Sequence, residues 1–201
     1  MEQVNKQRAA ALRIPEDLFM VGQPFSRNEL GALVHRGLLR ETMGGCFLRT
    51  DHPYDPTVRT RIAAYLAGSR MAPGDVLCRL TAAWIHGLLP HSSVLCISSD
   101  EYHRPYALPE GPTFDFVRLS FRDDEIQYRH GVLVTTLLRT VCDVACWDEI
   151  HVAADVLRRV RVLGDQFLSL DAVATALEGR ADHPSVRRGL RLVESYQLRA
   201  A

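Results

Sequence analysis

Residues 25–49 constrain the fold more than any other stretch, because a helix start is followed there by a hairpin signal. Ser26 and Glu29 stand three residues apart, as in a capping box, where each side chain accepts a hydrogen bond from the other residue's backbone amide. Within residues 30–34, two leucines and a valine recur at the spacing of one helical face. The pattern predicts a helix that begins after Ser26 and packs through a narrow apolar face.

Two short apolar runs follow this helix and are joined through Gly44 and Gly45, which can supply the positive φ angles of a tight hairpin. Two supporting helices are expected before it, one over residues 4–13 and one that starts at Pro15 and includes residues 18–21. A helix followed by a small hairpin is typical of a winged helix-turn-helix, in which the helix reads DNA and the hairpin is the wing. An ordinary helix and hairpin in an α+β core is the alternative.

Six polar side chains of this module are candidates for DNA contact. Asn28, His35 and Arg36 are predicted to face the groove, where asparagine can read adenine. Arg27, Arg40 and Arg49 are predicted to contact mainly phosphates.

The rest of the chain is predicted to be a larger α+β domain, with a boundary near residue 53 at a turn-rich break. This divides the chain into a DNA-binding domain, residues 1–52, and a second domain, residues 53–201. Three or four short strands are expected between residues 94 and 134, in one small mixed or antiparallel sheet. Helices are expected over residues 57–70, 81–88, 137–147, 149–163, 169–178 and 184–198.

Arg139, Thr140 and Asp143 follow the last predicted strand and are candidates for a partner-binding or structural role. Arg139 and Asp143 are four residues apart, so they can form an ion pair across one helical turn. The pair either lies at an exposed joint or is buried and fixes a partner-binding surface, and the apolar residues beside it favour partial burial. Removing Asp143 is then expected to destabilise the protein more than removing Arg139, because an uncompensated guanidinium would remain.

Three arginines of the last predicted helix, Arg187, Arg188 and Arg191, lie on one side of it and are a further candidate surface. Together with the arginines of residues 158–161 they could form two adjoining basic faces. A solvated helix face explains the same pattern more simply.

Composition excludes several classes of function. The formal net charge is zero, which argues against a general polyanion-binding protein. The sequence has no phosphate-binding glycine loop, no spacing typical of metal ligands and no catalytic signature, so no cofactor, no metal and no enzymatic activity are expected. The five cysteines form no CxxC pair, and neither a long apolar run nor a signal peptide occurs. These features predict a reduced, cytoplasmic protein without a membrane partner.

The order of three motifs resembles the AbiEi-type antitoxins of bacterial toxin–antitoxin systems, in their actinobacterial form. The motifs are LVHRGLLRETMGGCF at residues 33–47, the Ala-Ala to His-Gly-Leu segment at 82–88, and Gly-Val-Leu-Val-Thr at 131–135 followed by Arg139-Thr140 and Asp143. Cys46-Phe47 differs from the family's usual Val-Tyr. Residues 79–81 differ from the expected lead into the second motif.

The resemblance implies a winged-helix domain that binds operator DNA and represses its own operon, and a second domain that counteracts a nucleotidyltransferase-like toxin, directly or indirectly. Two alternatives stay open at this point. One is a stand-alone winged-helix transcriptional regulator whose second domain senses a ligand or dimerises. The other is an enzyme that acts on the toxin or on nucleotides through residues such as Asp115 or Asp143.

Overall fold

A computed structural model describes residues 17–101, 103–164, 166–180 and 183–198. Within these residues the chain has nine β-strands and seven α-helices in an α+β fold, which confirms the predicted class. The predicted helix over residues 4–13 lies outside the described part of the chain. The predicted helix from Pro15 is wrong where it can be compared, because residues 18–20 form a strand.

The first structural unit is a three-stranded antiparallel sheet with one helix packed on it. Its elements are β1 (Leu18–Met20), α1 (Arg27–His35), β2 (Leu39–Glu41) and β3 (Cys46–Arg49), and the strand order is β1-β3-β2. The capping box predicted at Ser26 is present. Leu30 is fully buried against Leu39 and Phe47, whereas Val34, predicted for the same face, is 36% exposed.

The second unit is a six-stranded mixed sheet with the order β6-β7-β5-β4-β9-β8. Its strands are β4 (Val76–Leu77), β5 (Val94–Ser98), β6 (Tyr106–Ala107), β7 (Thr113–Val117), β8 (Ile126–Arg129) and β9 (Val132–Thr135). The sheet exceeds the predicted three or four strands because β4 and β6 have only two residues each. Alternation of polar and apolar residues cannot be recognised over so short a segment.

Six helices complete this unit. They are α2 (Pro56–Ala67), α3 (Arg79–Ile85), α4 (Leu137–Trp147), α5 (Ile150–Leu163), α6 (Leu170–Glu178) and α7 (Pro184–Gln197). The last four agree with the predicted ranges to within one residue at each end. They pack on one another through a large buried apolar cluster that includes Val144, Leu157, Val173 and Val193.

The tip of the β2–β3 hairpin, residues 42–45, is packed against the second unit. Met43 is fully buried and forms a β-bridge with Ser92, and the Gly44 amide donates to the Ser92 carbonyl at 3.3 Å. Gly44 and Gly45 have φ angles of +23° and +72°, as the glycine pair predicted. The tip of the predicted wing is therefore an internal contact of the protein.

A single apolar cluster crosses the predicted boundary near residue 53. It contains Cys46 and Leu48 of β3 together with Ile62 of α2 and Trp84 of α3. Apolar contacts thus join the first unit to the second, and the division into two functional domains stays a prediction.

Candidate functional site

The outer face of α1 carries the side chains that were predicted to read DNA. Asn28, His35 and Arg36 are all exposed, and Gly31 and Ala32 between them are exposed as well. Among the described residues, no side-chain hydrogen bond or ion pair engages these three polar groups. The face is therefore available, and its small central residues permit close approach to a partner.

The three arginines predicted to contact phosphates already have partners within the protein. Arg27 binds the Glu110 carboxylate and lies 3.8 Å from that of Glu41. Arg49 donates from Nε to Asp51 at 3.0 Å.

Arg40, the third of these arginines, is partly buried. Its guanidinium donates to the Thr50 carbonyl and lies 5.3 Å from the centre of the Tyr54 ring. The sequence could not show this, because burial depends on residues from both units. A phosphate would therefore have to displace a carboxylate from Arg27 or Arg49, and Arg40 is held by its packing.

Glu110 links α1 to the hairpin tip. Its carboxylate binds Arg27 at the first turn of α1, and its backbone lies against Gly45, where an added Cβ would stand 2.9 Å from the Glu110 carbonyl carbon. One residue of the β6–β7 loop therefore contacts both α1 and the hairpin.

A second candidate site is the buried ion-pair group around Arg139. Arg139 is 7% exposed and Asp143 is 3% exposed, so the pair is buried rather than at an open joint. Arg139 donates from Nε to Asp143 at 2.8 Å, and from another nitrogen to Glu125 at 2.6 Å and to the Ser120 carbonyl at 3.0 Å. Arg180 binds the same Glu125 carboxylate. Arg139 thus joins helix α4 to the segment that precedes β8.

These contacts reverse the expected effects of the two substitutions. Without Asp143, Arg139 would keep Glu125 and the Ser120 carbonyl as partners. Without Arg139, Asp143 would lose its only charged hydrogen-bond partner among the described residues. We therefore expect the removal of Arg139 to be the more destabilising change.

Thr140 has a local structural role beside this pair. Its hydroxyl donates to the Thr136 carbonyl at 2.8 Å and lies 2.7 Å from the Thr135 hydroxyl. These bonds close the joint between β9 and α4, so the buried Thr140 presents no surface to a partner.

Asp143 is held in an environment that favours its neutral form. Burial raises its pKa to about 6, and the neighbouring Arg139 opposes this only in part. Its Oδ2 atom is buried and has no hydrogen-bond partner among the described residues. When folding raises the pKa of a carboxyl group, the group contributes its full stabilisation at pH values below the pKa that it has in the unfolded chain. The contribution is lost as the pH rises through the pKa that it has in the folded chain.

We therefore expect Asp143→Asn to remove a pH-dependent part of the stability. In the wild type, the free energy of unfolding should fall by about 3 kcal/mol from this group between about pH 3 and pH 7, since one unit of pKa difference corresponds to about 1.4 kcal/mol. Urea unfolding at a series of pH values measures this for the wild type and the variant. The exposed Asp155, changed to asparagine, is the control. Parallel curves for wild type and Asp143→Asn would contradict the assignment.

A third charged group was not anticipated from the sequence. Arg79 donates to Asp148 at 2.6 Å and to Asp115 at 3.1 Å, although these residues are far from it in the chain. Arg79 also has a φ angle of +48°, in the left-handed region. Only the fold brings these residues together, so no local pattern could have revealed the group.

The arginines of α7 do not form one basic face. Arg187 and Arg191 are exposed, whereas Arg188 is half-buried and donates to the Asp148 carbonyl at 2.6 Å. Arg188 therefore attaches α7 to the end of α4.

The described residues contain no group of three or more histidine, cysteine or acidic side chains that could hold a metal ion. In the same part of the chain, none of the helices combines the length and apolar character needed to cross a membrane.

Comparison of the sequence with protein-family models and with curated proteins gives no match. The resemblance to AbiEi-type antitoxins therefore stays a prediction that depends on the three motifs.

Proposed function

We propose that this protein is a DNA-binding antitoxin that represses its own operon and counteracts a nucleotidyltransferase-like toxin. The exposed outer face of α1 is the observation that supports the DNA-binding part. Asn28 and Arg36 match side chains that bind adenine and guanine in the major groove. Because Gly31 and Ala32 lie between them, the helix backbone can come close to the base edges.

The proposed DNA complex differs from an ordinary winged helix in the source of its phosphate contacts. The hairpin tip is buried, so contacts to the backbone would come from Arg27 and Arg49 at the edges of the first unit. Phosphate would have to replace Glu110 at Arg27 and Asp51 at Arg49. Both ion pairs are exposed and therefore contribute little to stability, so the replacement of a carboxylate by a phosphate should require little free energy.

The toxin partner is a proposal that depends on the motif resemblance, and the cytoplasmic location is a proposal that depends on the five free cysteines. A stand-alone regulator whose second domain senses a ligand is the second candidate function. The specific observation in its favour is a cavity of about 420 Å³ beside Asp143, between the segment before β8 and the helices α4, α6 and α7.

The double variant Asn28→Ala and Arg36→Ala separates the two activities. Each lost base contact should cost about 1–3 kcal/mol, so binding to the protein's own promoter should weaken by about 30-fold to 20,000-fold at fixed salt. A gel-shift titration measures this, with the exposed Arg191→Ala on α7 as the control. In cells that express the toxin, the double variant should derepress the promoter and still protect. Unchanged promoter affinity would refute the assignment of α1, and loss of protection at equal protein level would refute the separation.

A further inference from the structure

Two arginines from different structural units meet at the Tyr54 ring. The Arg40 guanidinium of β2 lies 5.3 Å from the centre of this ring, and the Arg59 guanidinium of α2 lies 4.1 Å from it. Arg59 also donates to the carbonyls of Trp84 and Leu89, at 2.6 and 3.0 Å. These contacts hold both guanidinium groups in place without a ligand.

Arg159 of α5 is the third arginine at this place. The turn after α3, which supplies a carbonyl to Arg59, packs through Leu88 in the same buried cluster as Val160 of α5. Burial lowers the pKa of Arg59, and the charges of Arg159 and Arg40 lower it further. These three residues, which we call the arginine cluster, therefore bring three positive charges to the joint between the two units.

The carboxylates that are nearest to the arginine cluster in the sequence are engaged elsewhere. Asp55 caps α2 by accepting from a backbone amide at 2.9 Å, Asp155 binds Arg158, and Glu41 lies 3.8 Å from Arg27. Within the described residues, no ion pair engages any arginine of the cluster. Even when the unpaired Asp55 is counted against the three arginines, two positive charges remain in excess.

The arginine cluster has hydrogen-bond donors that a ligand can reach. Arg159 is exposed, and the other two arginines are half-buried. Nη1 of Arg40 and Nη2 of Arg59 have no hydrogen-bond partner in the described chain, and neither atom is closed off from solvent, in contrast to Nε of Arg40. Each of the three guanidinium groups therefore offers an accessible N–H.

The arrangement of these donors favours phosphate over other anions. Guanidinium groups bind phosphate through short, charge-assisted hydrogen bonds. The three donors come from a strand and two helices, and a phosphate group directs its oxygens toward the corners of a tetrahedron, whereas the two oxygens of a carboxylate lie in one plane. An anion with at least two negative charges matches the excess charge.

The position of Arg40 separates the arginine cluster from the outer face of α1. Leu39 packs against Leu30 of α1, and successive residues of a strand point to opposite faces of the sheet, so Arg40 lies on the other face. DNA bound to the outer face of α1 would have the three-stranded sheet between it and the cluster. A small phosphate compound in solution therefore fits this place better than the DNA backbone.

We propose that Arg40, Arg59 and Arg159 bind a small phosphate compound that carries at least two negative charges, such as a diphosphate. Because the three arginines come from both units, the bound anion ties the first unit to the second. Binding at the arginine cluster is independent of the proposed DNA recognition, since no residue of α1 takes part in it.

The test is a calorimetric titration of the full chain with inorganic pyrophosphate in a buffer of low salt, because salt screens exposed charges. The wild type should show saturable binding. Arg159→Gln should weaken it by about tenfold or more, because a hydrogen bond between charged groups is lost. Arg159 is exposed and has no side-chain contact in the described chain, so the variant should keep the fold. Arg191→Gln, which removes an exposed arginine of α7 and the same charge, is the control and should bind as the wild type does.

Two competitors identify the anion. Citrate, which offers carboxylates at a similar charge, should bind several-fold more weakly than pyrophosphate, and a duplex of the protein's own promoter should not displace pyrophosphate. Absence of saturable binding, equal affinity in the wild type and Arg159→Gln, or an equal loss in Arg191→Gln would overturn the proposal. Citrate that binds as tightly as pyrophosphate, or displacement by the duplex, would overturn the choice of a small phosphate compound. If the chain does not bind its promoter, the proposed function fails, and the pyrophosphate titration still decides whether the arginine cluster is an anion site.

Discussion

Gly45→Ala is expected to destabilise the protein by about 3–5 kcal/mol, since overpacking and backbone strain act together there. The added Cβ would overlap the Glu110 carbonyl oxygen and would stand 2.9 Å from the Glu110 carbonyl carbon. Both atoms belong to backbone, which cannot turn aside as a flexible side chain can. The hairpin tip must therefore leave its contact with the β6–β7 loop. Thermal unfolding should show a midpoint lower by about 6–20 °C, given the usual entropy of unfolding for a chain of this size.

Gly37→Ala is the matched control for this experiment. Gly37 has the same φ angle of +72° as Gly45, but no atom stands within 4 Å of an added Cβ. This variant should be destabilised only by the left-handed backbone conformation of the new alanine, by about 1–2 kcal/mol. The difference between the two variants is the contribution of the close contact. Equal destabilisation of both would show that the hairpin tip is not packed against Glu110.

Arg139→Ala is expected to have the second large effect, a loss of about 3–5 kcal/mol, because it leaves a buried carboxylate without its cation. Asp143 would then keep no charged hydrogen-bond partner among the described residues, and Glu125 would lose one of its arginines. Asp143→Ala should cost less, since Arg139 retains Glu125 at 2.6 Å. Urea unfolding at about pH 8 measures the order of the two variants, with Asp143 ionised in the wild type.

The pH dependence distinguishes a lost ion pair from lost packing. Without Arg139 the pKa of Asp143 should rise above its present value of about 6, because the cation that lowers it is gone. The deficit of Arg139→Ala should therefore shrink as the pH falls through that range and Asp143 takes up a proton. Arg122→Ala, which removes an exposed arginine of the same region, should change stability little at any pH. A deficit that is independent of pH would mean that packing, rather than charge, accounts for the effect.

Local interactions explain what could be predicted from the sequence. The capping box at Ser26, the glycine hairpin and the four C-terminal helices depend on residues within a few positions of one another. The Arg139–Asp143 contact belongs to the same class, because one helical turn brings the two residues together. For these elements, spacing along the chain determines proximity in space.

The remaining features depend on contacts between distant parts of the chain. The burial of the hairpin tip needs the loop at Glu110, and the pairing of Arg79 with Asp148 joins the start of α3 to the residue that follows α4. The partners of Arg27 and Arg40 are likewise determined by the fold. The sequence could suggest that these two arginines bind phosphates, but it could not show that both already form contacts within the protein. Strands β4 and β6 could not be predicted, because a strand of two residues shows no alternation of polar and apolar positions.

The packing of the hairpin tip on the second unit has a consequence for the layout of the operator that we propose. A DNA-binding helix on a flexible tether could follow half-sites at many separations. By contrast, α1 packs through Leu30 on strands β2 and β3, and this hairpin is itself packed on the second unit through Met43 and the shared apolar cluster. In an assembly of two copies, the distance between the two reader helices would be set by the contact between the bodies. An operator for such an assembly would tolerate changes of base sequence more readily than the insertion of a few base pairs between its half-sites.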